Sequence, residues 1–81
     1  MEVKLSEFQV GQSGRVKSVF GESKLKRRLF DMGVTPGADI KLIKLAPLGD
    51  PIEVTIRGYQ LSLRKAEAEI VTMEVEKWDL H

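Results

Sequence analysis

The chain has no cysteine and a single histidine, His81, which is its last residue. Without thiols there is neither a disulfide framework nor a thiolate metal site. A lone terminal imidazole leaves Ser6, Ser13, Ser18, Ser23 and Ser62 without the base that a nucleophilic serine requires. Glycine-rich phosphate cradles and P-loop spacing are absent as well. No apolar run approaches the roughly 20 residues needed to cross a bilayer, and residues 1–8 lack the basic start and apolar centre of a secretory leader. Eighty-one residues suffice for one domain, and a chain of that length buries only about 60 to 65 % of its unfolded surface. Such a core leaves little room for a deep, water-excluded active site. These absences predict a non-enzymatic cytosolic domain with no cofactor and no metal site of its own.

What is present is an ordinary soluble composition, 42 % hydrophobic and 31 % charged, with 13 basic and 12 acidic residues. A net charge of +1 is too small for a protein built mainly to hold nucleic acid. The charge is uneven, however. Lys24, Lys26, Arg27 and Arg28 fall together, whereas residues 67–79 are mostly acidic. An electrostatic partner would meet a patch rather than the whole molecule.

The pattern along the chain reads as one domain over residues 1–75 with a tail at 76–81. Ser6 and Gln9 have capping-box spacing, and Val10-Gly11 limits any helix there to one turn. Residues 14–20 read as a strand. Residues 23–32 are the one convincing helix: Leu25, Leu29 and Met32 form an apolar stripe, Ser23 is the expected N-cap, and Gly33 sits where a left-handed residue ends a helix. Pro36 forbids continuation. Lys24 and Lys26 in the first turn run against the helix dipole, a cost of a few tenths, about 0.3 kcal/mol, at an exposed site. Residues 40–45 form a strand whose phase changes between Leu42 and Ile43, as at a bulge.

Residues 46–51 are a loop by composition. Ile52, Val54 and Ile56 alternate with polar neighbours, as do Tyr59, Leu61 and Leu63, and Arg57-Gly58 is a tight hairpin connection. On this alternation Tyr59 is expected in the core. Residues 65–68 look like a single helical turn and residues 70–75 like the last strand. The whole predicts a mainly β fold, a small SH3-like β-barrel of about five strands, closed or nearly so, with one short α-helix inserted after the first strand.

Three ordered segments sharpen this reading. Residues 28–37 (Arg28, Leu29, Phe30, Asp31, Met32, Gly33, Val34, Thr35, Pro36, Gly37) resemble the helix and turn of the FeoA family. Residues 47–51 resemble that family's loop between the second and third strands, and residues 58–68 its closing hairpin and turn. The similarity spans residues 3–75 in the family's order and spacing. The resemblance implies an SH3-like fold and a role in ferrous-iron transport beside FeoB, the membrane permease that carries Fe²⁺ and has a cytosolic GTP-binding domain. Related domains also occur fused to FeoB and at the C-terminus of iron-responsive repressors. "Transition metal ion binding" is a term attached to the family. No function carries over to residues 76–81.

Metal binding by the chain itself is disfavoured: a ferrous site wants converging His and carboxylate ligands, and only Asp50 and Glu53 present an acidic pair. An arginine finger from Arg27 or Arg28 onto a GTPase demands a specific geometry, and a solvated helix face is the ordinary use of such a run. RNA binding through Lys24, Arg27 and Arg28 needs exposed aromatics for stacking, with Phe20, Phe30 and Trp78 as the candidates. A docking surface uses the residues best: Lys24, Arg27 and Arg28 rimming the apolar Phe30 and Leu48, with apolar anchors carrying the affinity. The expectation is a FeoB-type permease as partner, no nucleic acid, no embedding in the membrane, and a monomer or weak homodimer. The alternative is an SH3-like RNA- or protein-binding module unrelated to iron that uses the same basic helix face.

Overall fold

Side-chain alternation builds most of the sheet. In the computed structural model, which describes residues 1–21 and 24–76, the strand β4 (Ile52–Ile56) buries Ile52, Val54 and Ile56 and turns Glu53 and Thr55 outward. It returns as β5 (Tyr59–Leu63) through Arg57 (φ 48°) and Gly58 (φ 84°). Two consecutive left-handed residues make the type I′ turn that suits the twist of a hairpin. β3 (Asp39–Leu45) pairs with β4, and its register moves between Leu42 and Lys44. The bulge foreseen from the phase change is there.

The remaining strands are β1 (Glu2–Lys4), β2 (Ser13–Val19) and β6 (Val71–Glu74). All six join in one antiparallel sheet of order β1-β6-β2-β3-β4-β5. Three expectations are corrected here. Among the described residues there are six strands rather than about five, because residues 2–4 pair with β6. Three residues with one apolar side chain carry no alternation to read. The helix α1 (Lys24–Asp31) consequently follows the second strand, not the first. Among the described residues the ladder also ends at β1 and at β5, so the sheet they form is not closed into a barrel.

One core lies under the sheet, and its largest fully buried side chains include Leu5, Leu29, Ile40, Ile56, Leu63 and Met73. α1 contributes Leu29 completely, Met32 just beyond its end is buried in part, and Leu25 is only half-buried. The helix stops in a Schellman turn: Gly33 (φ 94°) donates to the Phe30 carbonyl at 3.0 Å, and Val34 to that of Leu29 at 2.9 Å. Ser23, the expected N-cap, lies outside the described residues. Tyr59 is not in the core. It is 44 % exposed, and its hydroxyl donates to the Met32 carbonyl at the end of α1. Beside it the Arg57 guanidinium donates to the Gly33 carbonyl and to Thr35 Oγ1, at 3.3 and 3.0 Å. The hairpin tip thereby ties down the turn that follows α1.

The opening turn is a 3₁₀ segment (Leu5–Glu7), one turn as expected. Its acid is Glu7, whose carboxylate accepts the Lys4 N–H at 2.8 Å. Gln9 instead donates its N–H to the Gln12 side-chain carbonyl at 3.0 Å, so the Ser6–Gln9 box does not form. The short helix α2 (Lys65–Ala68) precedes β6.

Two predictions follow from the sheet's closest approaches. A Cβ at Gly14 would lie 2.8 Å from Val75 Cγ1, 3.0 Å from the Glu74 carbonyl oxygen and 3.1 Å from Phe8 Cζ. Gly14→Ala is expected to lower stability by about 1 to 3 kcal/mol through overpacking, read as a lower urea midpoint; an unchanged midpoint would contradict the packing described.

The second concerns β1. The Met1 amine, hydrogen-bonded to Glu74 at 2.7 Å, holds that carboxyl below its ordinary range. The hydrogen bond from Lys17 to Glu2 raises the lysine above its own. A lowered carboxyl stabilises above its unfolded pKa and loses that contribution as pH falls through the folded value. A raised ammonium stabilises below its unfolded pKa and loses the contribution as pH rises through the folded value. Amide protection in β1 should therefore decline at both pH extremes, with Glu74→Gln weakening chiefly the acid limb and touching the alkaline limb only through its lesser pull on Lys17.

Candidate functional site

α1 presents its cations outward. Lys24, Arg27 and Arg28 are exposed, the first turn holds no acid, and Lys26 is half-buried with Nζ 5.7 Å from the Phe30 ring centroid. That geometry is a cation–π contact one helical turn apart. Phe30 remains 39 % exposed.

Leu48 stands in the loop between β3 and β4 and is 95 % exposed. The loop beneath it is well tied. Gly49 (φ 82°) donates to the Ala46 carbonyl at 2.7 Å, and Ala46 donates to that of Pro51 at 3.0 Å. Asp50 then accepts the Lys65 N–H at 3.0 Å, so the loop caps the start of α2.

α2 in turn engages α1. Glu67 is the one buried charged side chain among the described residues, only 3 % exposed. Its Oε1 accepts the Arg64 N–H at 2.7 Å. Its Oε2 has no hydrogen-bond partner, and Arg28 Nε lies 3.7 Å away. A buried carboxylate is costly unless a counter-charge faces it. Arg28 supplies that charge while its side chain stays 67 % exposed. The loop bearing Leu48 and the helix bearing Lys24, Arg27, Arg28 and Phe30 are thus both fastened to α2. Sequence reasoning missed Glu67. The available signal was its place three residues after Arg64, the spacing at which an N3 acid reaches back to the residue before a helix.

The other candidates are dispersed. Asp50 is engaged by Lys65, and Glu53 pairs with Lys44 at 3.3 Å, so the two acids serve different partners. Among the described residues no group of three or more His, Cys, Asp or Glu is placed to hold a metal ion. None of their helices is long and apolar enough to cross a membrane. Phe20 is 60 % exposed, and Trp78 and His81 lie outside the described residues. An open groove between residues 9–15, Asp39 and residues 74–76 contains none of the predicted site residues.

This arrangement of sheet, helix and loop belongs to the SH3-like class. FeoA of Stenotrophomonas maltophilia, solved with zinc and described as a procaryotic SH3 domain protein, superposes with a TM-score of 0.77 at 28 % identity, covering 89 % of each chain. The FeoA domain model matches residues 3–75, and the chain belongs to the FeoA family. The FeoA-like protein of Clostridium acetobutylicum superposes with a TM-score of 0.90 at 39 % identity, covering 99 % of this chain and 93 % of that one. The chain is also 32 % identical over 73 residues to the Fe(2+) transport protein A/Fe(2+) transporter FeoB fusion protein of Porphyromonas gingivalis. That match covers 90 % of this chain but only 9 % of the fusion protein.

The two oxygens of Glu67 separate by substitution. Glu67→Ala removes the acceptor of the part-buried Arg64 N–H and should cost about 1 to 3 kcal/mol. Glu67→Gln keeps a carbonyl acceptor for that N–H and is expected to cost clearly less. Equal losses in urea denaturation would contradict the assignment of Oε1 to the cap.

Proposed function

We propose that this chain is a non-catalytic, cytosolic accessory of bacterial Fe²⁺ uptake that docks on a FeoB-type permease through Lys24, Arg27, Arg28, Phe30 and Leu48. The observation that carries the reading is Leu48, a large apolar side chain 95 % exposed on a loop held by three hydrogen bonds. A rigid apolar anchor loses little conformational entropy on binding, and burying it is favourable by about 1.5 to 3 kcal/mol. The cations of α1 suit a partner surface with an acidic rim and steer its approach. Family membership and the relative in which an FeoA segment is continuous with FeoB support the choice of partner.

The test is binding to purified FeoB in detergent at two salt concentrations, with a Lys24/Arg27/Arg28 triple-alanine variant alongside. Saturable binding that the variant weakens by tenfold or more is the expected result, as is a modest response to salt. Absence of binding by the folded protein in either nucleotide state would overturn the docking reading. The competing RNA reading predicts a steep salt dependence, with a logarithmic slope of about −0.7 per single-strand phosphate contact.

A further inference from the structure

The open sheet has two edges, and they are built differently. β1 is three residues long and carries Glu2 and Lys4. Short length and charge are the usual protection of an edge strand. β5 has neither: its five residues, Tyr59, Gln60, Leu61, Ser62 and Leu63, include no charge and no proline. Its register with β4 runs without a bulge.

The register also says which backbone groups are unused. In a two-residue hairpin Ile56 and Tyr59 form the first hydrogen-bonded pair. Tyr59, Leu61 and Leu63 therefore point their N–H and C=O toward β4, and Gln60 and Ser62 point theirs away. Both residues are exposed, and among the described elements β5 packs extensively only on β4. The next outward amide, that of Arg64, is taken by Glu67, and the Arg64 carbonyl accepts from Glu67 and Ala68. The free edge is thus bounded at the α2 end and open over Gln60 and Ser62.

From this edge we infer a second binding surface, where an extended peptide segment adds as an antiparallel or parallel strand beside β5. Two donors and two acceptors are available for its backbone. Charge selects the occupant. Residues 57–66 hold three cations, Arg57, Arg64 and Lys65, and no acid. The carboxylates around this edge are all engaged: Glu67 by the Arg64 N–H and Arg28, Asp50 by the Lys65 N–H, and Glu53, opposite Ser62, by Lys44. A second copy of the chain placed about a two-fold at Leu61 would set Arg57 against Lys65 of its mate, a like-charge contact at both ends. The favoured occupant is a strand with an uncharged, alternating centre and carboxylates at its ends. This surface is separate from the Leu48 loop and does not depend on FeoB.

The experiment follows amide hydrogen exchange and chemical shifts of the full chain during titration with a synthetic peptide of alternating valine and threonine flanked by aspartates. A lysine-flanked peptide of the same centre is the comparison. Without peptide, Gln60 and Ser62 should exchange at least tenfold faster than Leu61 and Leu63. The aspartate-flanked peptide should slow both saturably, by tenfold or more, and the lysine-flanked one much less. Ser62→Pro removes an outward N–H without breaking the β4 ladder, and should abolish the effect with little change in melting temperature. The inference is overturned if neither amide responds to the peptide. Protection that rises with protein concentration alone, marking a second copy, or that is already present in dilute protein, would overturn it equally. If Ser62→Pro fails to fold, the two-peptide comparison on the unaltered chain still decides.

Discussion

Burying a carboxylate in so small a domain is an expensive choice, and much of the architecture around the candidate site is arranged about it. One oxygen of Glu67 takes the Arg64 N–H, which ends β5 and begins α2. The other faces Arg28, which draws α1 toward the same point. Asp50 accepts the first N–H of α2 and fixes the loop that carries Leu48. Two segments distant in sequence, α1 and the Leu48 loop, thereby share a four-residue helix too short to be stable alone. Its persistence depends on these contacts and on Ala68, which is fully buried.

A second constraint governs the far end of α1. An eight-residue helix leaves several carbonyls unpaired relative to its length. Gly33 and Val34 satisfy two of them by chain reversal, and Tyr59 and Arg57 reach across from the β4–β5 turn to the carbonyls of Met32 and Gly33 just beyond the helix. The left-handed backbone of Arg57 disfavours a side chain there, and the two hydrogen bonds of its guanidinium offset the strain. α1 is held at one end by the hairpin tip and on its flank by α2, so its cations are displayed from a fixed position.

Much of this was legible from residue pattern. Period-two alternation located β4 and β5, the Leu42–Ile43 phase change located the bulge, and the Gly33 and Arg57-Gly58 turns declared themselves by chemistry. β1 did not, since its three residues gain their strand character only by pairing with β6. Tyr59 was misplaced because alternation assigns a side chain to a face of the sheet. It does not tell how far the core extends toward the end of a strand. At the candidate site, exposure of Leu48 was readable from its proline- and glycine-rich loop. The link from that loop to α1 was not, because it runs through backbone amides of α2 that become donors only once the chain has turned. Closure of the sheet failed as an expectation for a related reason: strand count and order do not reveal which edges meet.

The central claim is that α1 and the Leu48 loop act as one docking face. It is tested most directly by a nuclear magnetic resonance footprint, adding FeoB in detergent to isotope-labelled chain. The account predicts shifts and broadening concentrated at the Leu48 methyls, Phe30 and the amides of residues 24–31, with the groove at residues 9–15 unaffected. A footprint centred on that groove, or one touching α1 while leaving the Leu48 methyls unperturbed, would contradict it.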